Sequence, residues 1–328
     1  MSSTLNAEAP PSESRPSADP EISVVVPTHN RAAGLARLVD GLEAQTLDRD
    51  RFEVIVVDDG SDPPQEHPST ALSISVIRHE SPRGPSAARN AGWRAARAPL
   101  VAFIDDDCVP APTWLRAIRD AAAEDLDSLI IQGPVKPPPD QLSELTPLSH
   151  TIQVAGPDPL YVTCNIAYSR SVLERVGGFD ETFRRPAGED IDLGTRAVKA
   201  GATPRFADGA LVHHEVRNLH LRARLRHTFM WTDAPKVLAA HPELRSMLVA
   251  RVFWRRTHPL LLLALAGLAT RRPLLAASAA MPYLGHYRRV YGRPGRKLAT
   301  ALPVHVATDV CEIATMVVGS VRHRTLML

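Results

Sequence analysis

Five apolar runs, at residues 22–27, 52–57, 74–77, 100–104 and 129–132, constrain this chain more than any other feature. Each is the length of a strand rather than a helix and is rich in Val, Ile or Leu. Helical patterns separate them. Leu35, Leu38, Val39 and Leu42 recur at helical spacing, residues 86–98 form an Ala-rich stretch, and residues 114–123 form a third. Near-continuous runs between amphipathic helices predict an α/β fold, a mostly parallel twisted sheet with helices on both faces. The Pro-rich stretch 134–139 ends this unit.

In a parallel sheet the strand carboxyl ends share one edge, and ligands bind in the crevice there. Three polar clusters fall at such ends: Pro27-Thr28-His29-Asn30, Asp58-Asp59-Gly60-Ser61 and Asp105-Asp106-Asp107. Adjacent carboxylates are unfavourable unless a cation compensates. An Asp-x-Asp pair offers hard oxygen ligands for Mg²⁺ or Mn²⁺, ions that commonly bridge to substrate phosphates. The same run also reads as a solvated acidic loop capping the helix whose start Pro112 marks. Neither G-x-G-x-x-G nor G-x-x-x-x-G-K-[ST] occurs, which counts against dinucleotide oxidoreductases and P-loop NTPases. A diphosphate would then rely on a metal at the aspartates, with help from Arg83 or Arg89. Arg89 reads equally as part of a solvated helix face. Glu189 and Asp190 follow Gly188 at the start of a helical stretch, 190–200, where the macrodipole is expected to keep them ionised. An ionised carboxylate there can act as a general base, with plain helix capping as the alternative.

The second half is less regular. Ser171 and Glu174 make a capping-box signature for a helix through Val176, stopped by Gly177 and Gly178. Residues 212–216 read as a short strand or loop, and residues 219–231 as a basic helical stretch. Apolar segments 260–269 and 274–284 flank Arg271 and Arg272. Joined as one span of about the 20 residues a bilayer needs, they would carry both arginines at mid-depth, at roughly 2.5–3.5 kcal/mol each. Two short helices in an interfacial or re-entrant hairpin fit better, with a packed helical appendage as the alternative. Residues 304–318 form a third, amphipathic candidate.

Charge follows this division. Of 328 residues with net charge +2, residues 251–328 hold twelve Lys/Arg against two acids, a balance of +10 that leaves −8 for residues 1–250. Cys108, Cys164 and Cys311 are widely spaced with no C-x-x-C, which predicts neither a disulfide framework nor a zinc site and fits a reducing cytosol. Residues 1–20, rich in Pro, Ser and Glu, read as a disordered tail rather than a signal peptide.

From about residue 22 to about residue 218 the chain resembles family 2 glycosyltransferases of the GT-A fold. The resemblance lies in six stretches: 24–31 (VVVPTHNR), 56–61 (VVDDGS), 84–92 with its Ser86-Ala87-Ala88-Arg89-Asn90-Ala91-Gly92, 103–107 (FIDDD), 176–181 (VGGFDE) and 188–193 (GEDIDL). It implies a nucleoside-diphosphate sugar donor and inversion at the anomeric carbon. It also implies that Asp59 reads the nucleobase, in a nucleotide pocket lined by Pro27, Thr28, Asn30, Arg31, Arg89 and Asp106. Asp105 and Asp107 would be the ends of a metal-binding Asp-x-Asp motif for Mn²⁺ or Mg²⁺. Asp190 would be the catalytic base with Glu189 beside it. His214 would be a further metal ligand, although His213 is an equal chemical candidate.

The Gln-x-x-Arg-Trp motif and long transmembrane helices of processive synthases are missing; only Arg226 and Trp231 echo the motif. Transfer of a single sugar to a lipid-linked or envelope glycan, or to a small metabolite, is therefore expected, with no nucleic-acid partner. A nucleotidyltransferase on the same scaffold and an inactive membrane-associated scaffold are the competing readings. The expected layout is a tail (1–20), a GT-A domain (21–218), a basic linking region (219–250) and a helical, membrane-associated region (251–328) at the cytoplasmic face of the cell membrane.

Overall fold

The structure is a computed structural model that describes residues 19–65, 70–123, 125–183, 185–291 and 296–328. The expected tail lies outside these residues, apart from Asp19 and Pro20.

The sheet-bearing part is built from β1 (Ile22–Thr28), α1 (Ala32–Glu43), β2 (Phe52–Asp58), β3 (Ile74–Arg78), α2 (Pro85–Ala95), β4 (Leu100–Phe103), β5 (Cys108–Pro110), α3 (Trp114–Ala122), β6 (Leu129–Gln132), β7 (Val135–Lys136), β8 (Ser149–His150), β9 (Ile166–Ser169), α4 (Arg170–Val176), α5 (Glu189–Lys199), β10 (Thr203–Phe206), β11 (Val212–His214) and β12 (Arg217–Asn218). Seven strands form one sheet in the order β10-β6-β9-β4-β1-β2-β3. The sheet is parallel except at β9, which runs antiparallel to both β4 and β6. Two buried clusters cover its faces: Leu38, Leu42, Trp114 and Leu115 on one, Trp93, Tyr168, Leu173 and Leu193 on the other. The continuous apolar runs are thus explained, since every residue of β2 and β4 is buried.

Glycine at position 92 lets α2 lie close to the sheet. A Cβ there would stand 2.3 Å from Val25 Cγ1. The register of β1 with β2 and β4 aligns Thr28 with Asp58 and Val25 with Phe103, which brings the three polar clusters to one edge.

The capping box expected at Ser171 does not form. Helix α4 starts at Arg170, directly after β9, so Ser171 already lies in the first turn. Its hydroxyl donates to the Asp127 carbonyl, and Glu174 pairs with Arg170 instead.

The remainder is helical: α6 (Leu221–Thr228), α7 (Ala234–Ala240), α8 (Thr257–Ala269), α9 (Pro273–Tyr291) and α10 (Arg296–His323). Helices α8 and α9 form the expected hairpin. Its tip is exposed, with Arg271 and Arg272 between Leu268 and Leu274, which are 67% and 86% accessible. Helix α10 returns to the linking region, where Met316 and Met327 share a core with Ala234, Leu238 and Leu248. Leu298–His323 is long and apolar enough to cross a membrane by length and composition.

Candidate active site

Arg89 organises the edge. The sequence leaves it open as a solvated residue, yet α2 buries it to 3% exposure. Its guanidinium donates to Asp105 Oδ1 at 2.8 Å and Glu189 Oε1 at 3.2 Å, and lies 3.8 Å from Asp190 Oδ1. Burial opposes its charge, but Asp105, Asp190 and Glu189 outweigh burial and raise its pKa.

Asp190 and Glu189 sit in the first turn of α5. Gly188 precedes them at φ 102°, a left-handed conformation that other residues rarely adopt. Thr163 holds the Asp190 carboxylate with two bonds: its amide donates to Oδ2 at 3.0 Å and its hydroxyl to Oδ1 at 2.9 Å. The expectation that both carboxylates stay ionised fails for Glu189. Burial, and then Asp190, push it up to about 8 against the pull of Arg89. Burial likewise raises Asp190, with Arg89 opposing. The helix dipole contributes only about 0.3–1 kcal/mol, less than one pKa unit of about 1.4 kcal/mol, so burial prevails. Glu189 Oε2 and Arg89 Nε have no hydrogen-bond partner.

On the other side of Arg89, Arg31 bridges the aspartate run, 2.8 Å from Asp106 and 2.9 Å from Asp107. Asp106 also accepts from the Thr28 hydroxyl at 2.8 Å, and burial pushes it up to about 6. Asp107 is lowered: burial works against it, but His214 and Arg31 prevail. His214 Nε2 lies 3.6 Å from Asp107 Oδ1. In the β11–β5 ladder His214 pairs with Cys108 and faces Asp107, whereas His213 alternates away toward the Pro137 carbonyl.

Ligand atoms of Asp107, Cys108 and His214 fall within 4.8 Å of one another, whereas Asp105 is held by Arg89 and stays outside this trio. Burial raises the Cys108 thiol well above its usual pKa, which disfavours it as a ligand beside the other two. A carboxylate and an imidazole remain, beside a wall where two guanidiniums face five carboxylates. That donor set and its excess negative charge fit a divalent cation.

Two cavities meet at this wall. The first, about 440 Å³, is lined by Pro27, Thr28, Arg31, Asp59 and Asp106; the second, about 380 Å³, by Thr163, Glu189, Asp190, His214 and Trp231. Arg89, Asp105, Asp107 and Pro186 line both. Asp59 accepts from the amides of Arg83 and Gly84 at 2.9 and 2.8 Å, with His79 2.7 Å away.

Asn30 does not fit its expected place. Its side chain accepts from the Asp62 amide and meets His29, its amide donates to Ser61, and it lines neither cavity. It shapes the loop rather than the pocket. Arg226 is likewise outside both cavities, while Trp231 lines the second.

Sequence reasoning missed Thr163, His150 and His227. The two histidine rings lie 4.2 Å apart in the second cavity, and burial, then His227, lowers His150 to about 3. Thr163 precedes β9, a strand not expected from the sequence, so no local signal marked it.

A mostly parallel sheet with an acidic carboxyl edge between two cavities is the arrangement of a GT-A glycosyltransferase. Residues 23–177 match the model for glycosyl transferase family 2, and residues 148–220 match that described as the N-terminal domain of galactosyltransferase. The chain belongs to glycosyltransferase family 2. It is 31% identical over 243 residues to a pre-mycofactocin glycosyltransferase of Mycobacterium tuberculosis, covering 70% of this chain and 50% of the relative. It is 30% identical over 230 residues to a validoxylamine A glucosyltransferase of Streptomyces hygroscopicus, covering 58% and 51%. The chain thus spans about half the length of these curated relatives. Among solved structures, a mannosyltransferase from Pyrobaculum calidifontis in complex with GDP-Man and Mn²⁺ superposes with TM-score 0.53 at 20% identity, covering 94% of this chain and 88% of the other.

Proposed function

We propose that this chain is an inverting, metal-dependent glycosyltransferase that moves one sugar from a nucleoside-diphosphate sugar to a hydroxyl acceptor. The carrying observation is the pair of cavities that share Arg89, Asp105 and Asp107, with Asp59 on one side and Asp190 on the other. The nucleotide occupies the Asp59 side and the acceptor the Asp190 side. Asp107 and His214 would hold the cation, with Asp105 facing the site. When bound, that cation neutralises charge developing on the leaving diphosphate. The mannosyltransferase holding GDP-Man and Mn²⁺ on the same fold supports this assignment.

Asp190, fixed by Thr163, takes the acceptor's proton as its oxygen attacks from the face opposite the diphosphate. Arg89 keeps Asp105 and Asp190 apart yet fixed. The acceptor is a lipid-linked or envelope glycan or a small metabolite, reached at the cytoplasmic face of a membrane. The +10 balance of residues 251–328 and the exposed leucines of the α8–α9 tip support membrane contact.

Asp107→Asn should abolish metal-dependent transfer, and Asp190→Asn should lose turnover while still binding donor. Wild-type rates in either would defeat the reading. Release of pyrophosphate rather than nucleoside diphosphate would point to nucleotidyl transfer.

A further inference from the structure

Residues 251–328 contain only two acids, Asp309 and Glu312, and neither faces solvent; they are 2% and 5% exposed. Three residues apart on α10, they share one helix face. His258, in the first turn of α8, is fully buried. Ligand atoms of these three residues lie within 4.8 Å of one another.

His258 Nε2 is ion-paired with Glu312 Oε2 at a long 3.4 Å, and Nδ1, buried with it, has no hydrogen-bond partner. A buried imidazole with one long ion pair and one unsatisfied nitrogen is costly, which leaves room in the cluster for a further member. The carboxylates are already oriented by other groups. Arg255 donates to both Glu312 oxygens, at 2.5 and 3.0 Å. Tyr283 and Tyr287 donate to Asp309 Oδ2 at 3.0 and 3.2 Å. A carboxylate offers about four lone-pair sites, so these bonds leave capacity for coordination.

We propose that His258, Asp309 and Glu312 form a second metal site, separate from the aspartate wall, for a zinc-class divalent cation. One imidazole with two carboxylates suits zinc better than Mg²⁺ or Ca²⁺, which favour all-oxygen sets. Arg255 and the two phenols supply the outer hydrogen bonds that orient such ligands. The cation clips α8 to α10. Because Met316 of α10 shares a core with the α7 region and Trp231 packs on that core, the clip also steadies one wall of the second cavity.

The test uses the full chain, stripped with chelator, titrated with Zn²⁺ in excess Mg²⁺ and passed through gel filtration before metal analysis. Wild type and Asp107→Asn should each retain one equivalent and show a raised Tm with Zn²⁺. His258→Gln and Asp309→Asn should retain none while keeping wild-type circular dichroism and sugar-nucleotide binding. No zinc retained by wild type would overturn the site, even if the buried variants fail to fold. Equal zinc in wild type and folded His258→Gln, or its loss in Asp107→Asn, would also overturn it.

Discussion

Single side chains here are placed by competing charges. Arg89 touches Asp105 on one flank and Glu189 on the other, so one guanidinium fixes both halves of the proposed chemistry. The motif around it was legible in the sequence, but its burial was not, because it depends on how closely α2 packs on the sheet at Gly92, where a Cβ would stand 2.3 Å from Val25 Cγ1. Thr163 is a positioning residue. Thr163→Val keeps the amide and the shape but removes one hydroxyl bond to Asp190. We expect kcat to fall about tenfold, in line with one such hydrogen bond, with donor KM unchanged and Thr163→Ser restoring the rate. An unaltered Val variant would show that the hydroxyl does nothing for the base. Glu189 predicts a pH effect on stability without metal. Its folded pKa of about 8 exceeds the usual 4.5, so the native state holds the proton more tightly. Stability should therefore fall as pH rises from about 4.5 to 8. Tm measured across that range should slope less in Glu189→Gln; equal slopes would refute the assignment.

Elements were read more accurately than their ends. The strand 129–132 matches β6, and the helix expected at 190–200 is α5, one residue earlier at each end. The failures came where tertiary contact decides: β9 runs directly into α4, so no turn was left for Ser171 to cap, and sequence alone could not orient β9 against β4. The packing of α2 on the sheet yields a sharp prediction. Gly92→Ala gains about 1 kcal/mol of helix propensity, but its Cβ would collide with Val25 Cγ1, and overpacking costs about 1–3 kcal/mol. Steric cost wins because Val25 is fully buried with nowhere to move. Tm should drop by a few degrees, and an unchanged or higher Tm would show that the helix can shift.

Across the whole molecule, the acidic body and basic end were visible from composition, as was the hairpin of apolar helices. The return of α10 onto the linking region was not, because nothing local in residues 304–318 encodes a distant partner. The tip of the hairpin carries the membrane prediction. Replacing Leu268, Leu274 and Met281, all more than 60% exposed, with Glu should cut co-sedimentation with anionic vesicles several-fold. Salt should weaken wild-type binding in the same assay. Unchanged sedimentation would leave the tip without a role at lipid. The partition at Pro186, Arg89 and the aspartates carries a kinetic consequence as well. Under the proposed assignment donor and acceptor enter by separate cavities, so neither has to leave before the other arrives. Initial-rate plots should intersect rather than run parallel, and a dead-end acceptor mimic should leave the donor's access untouched.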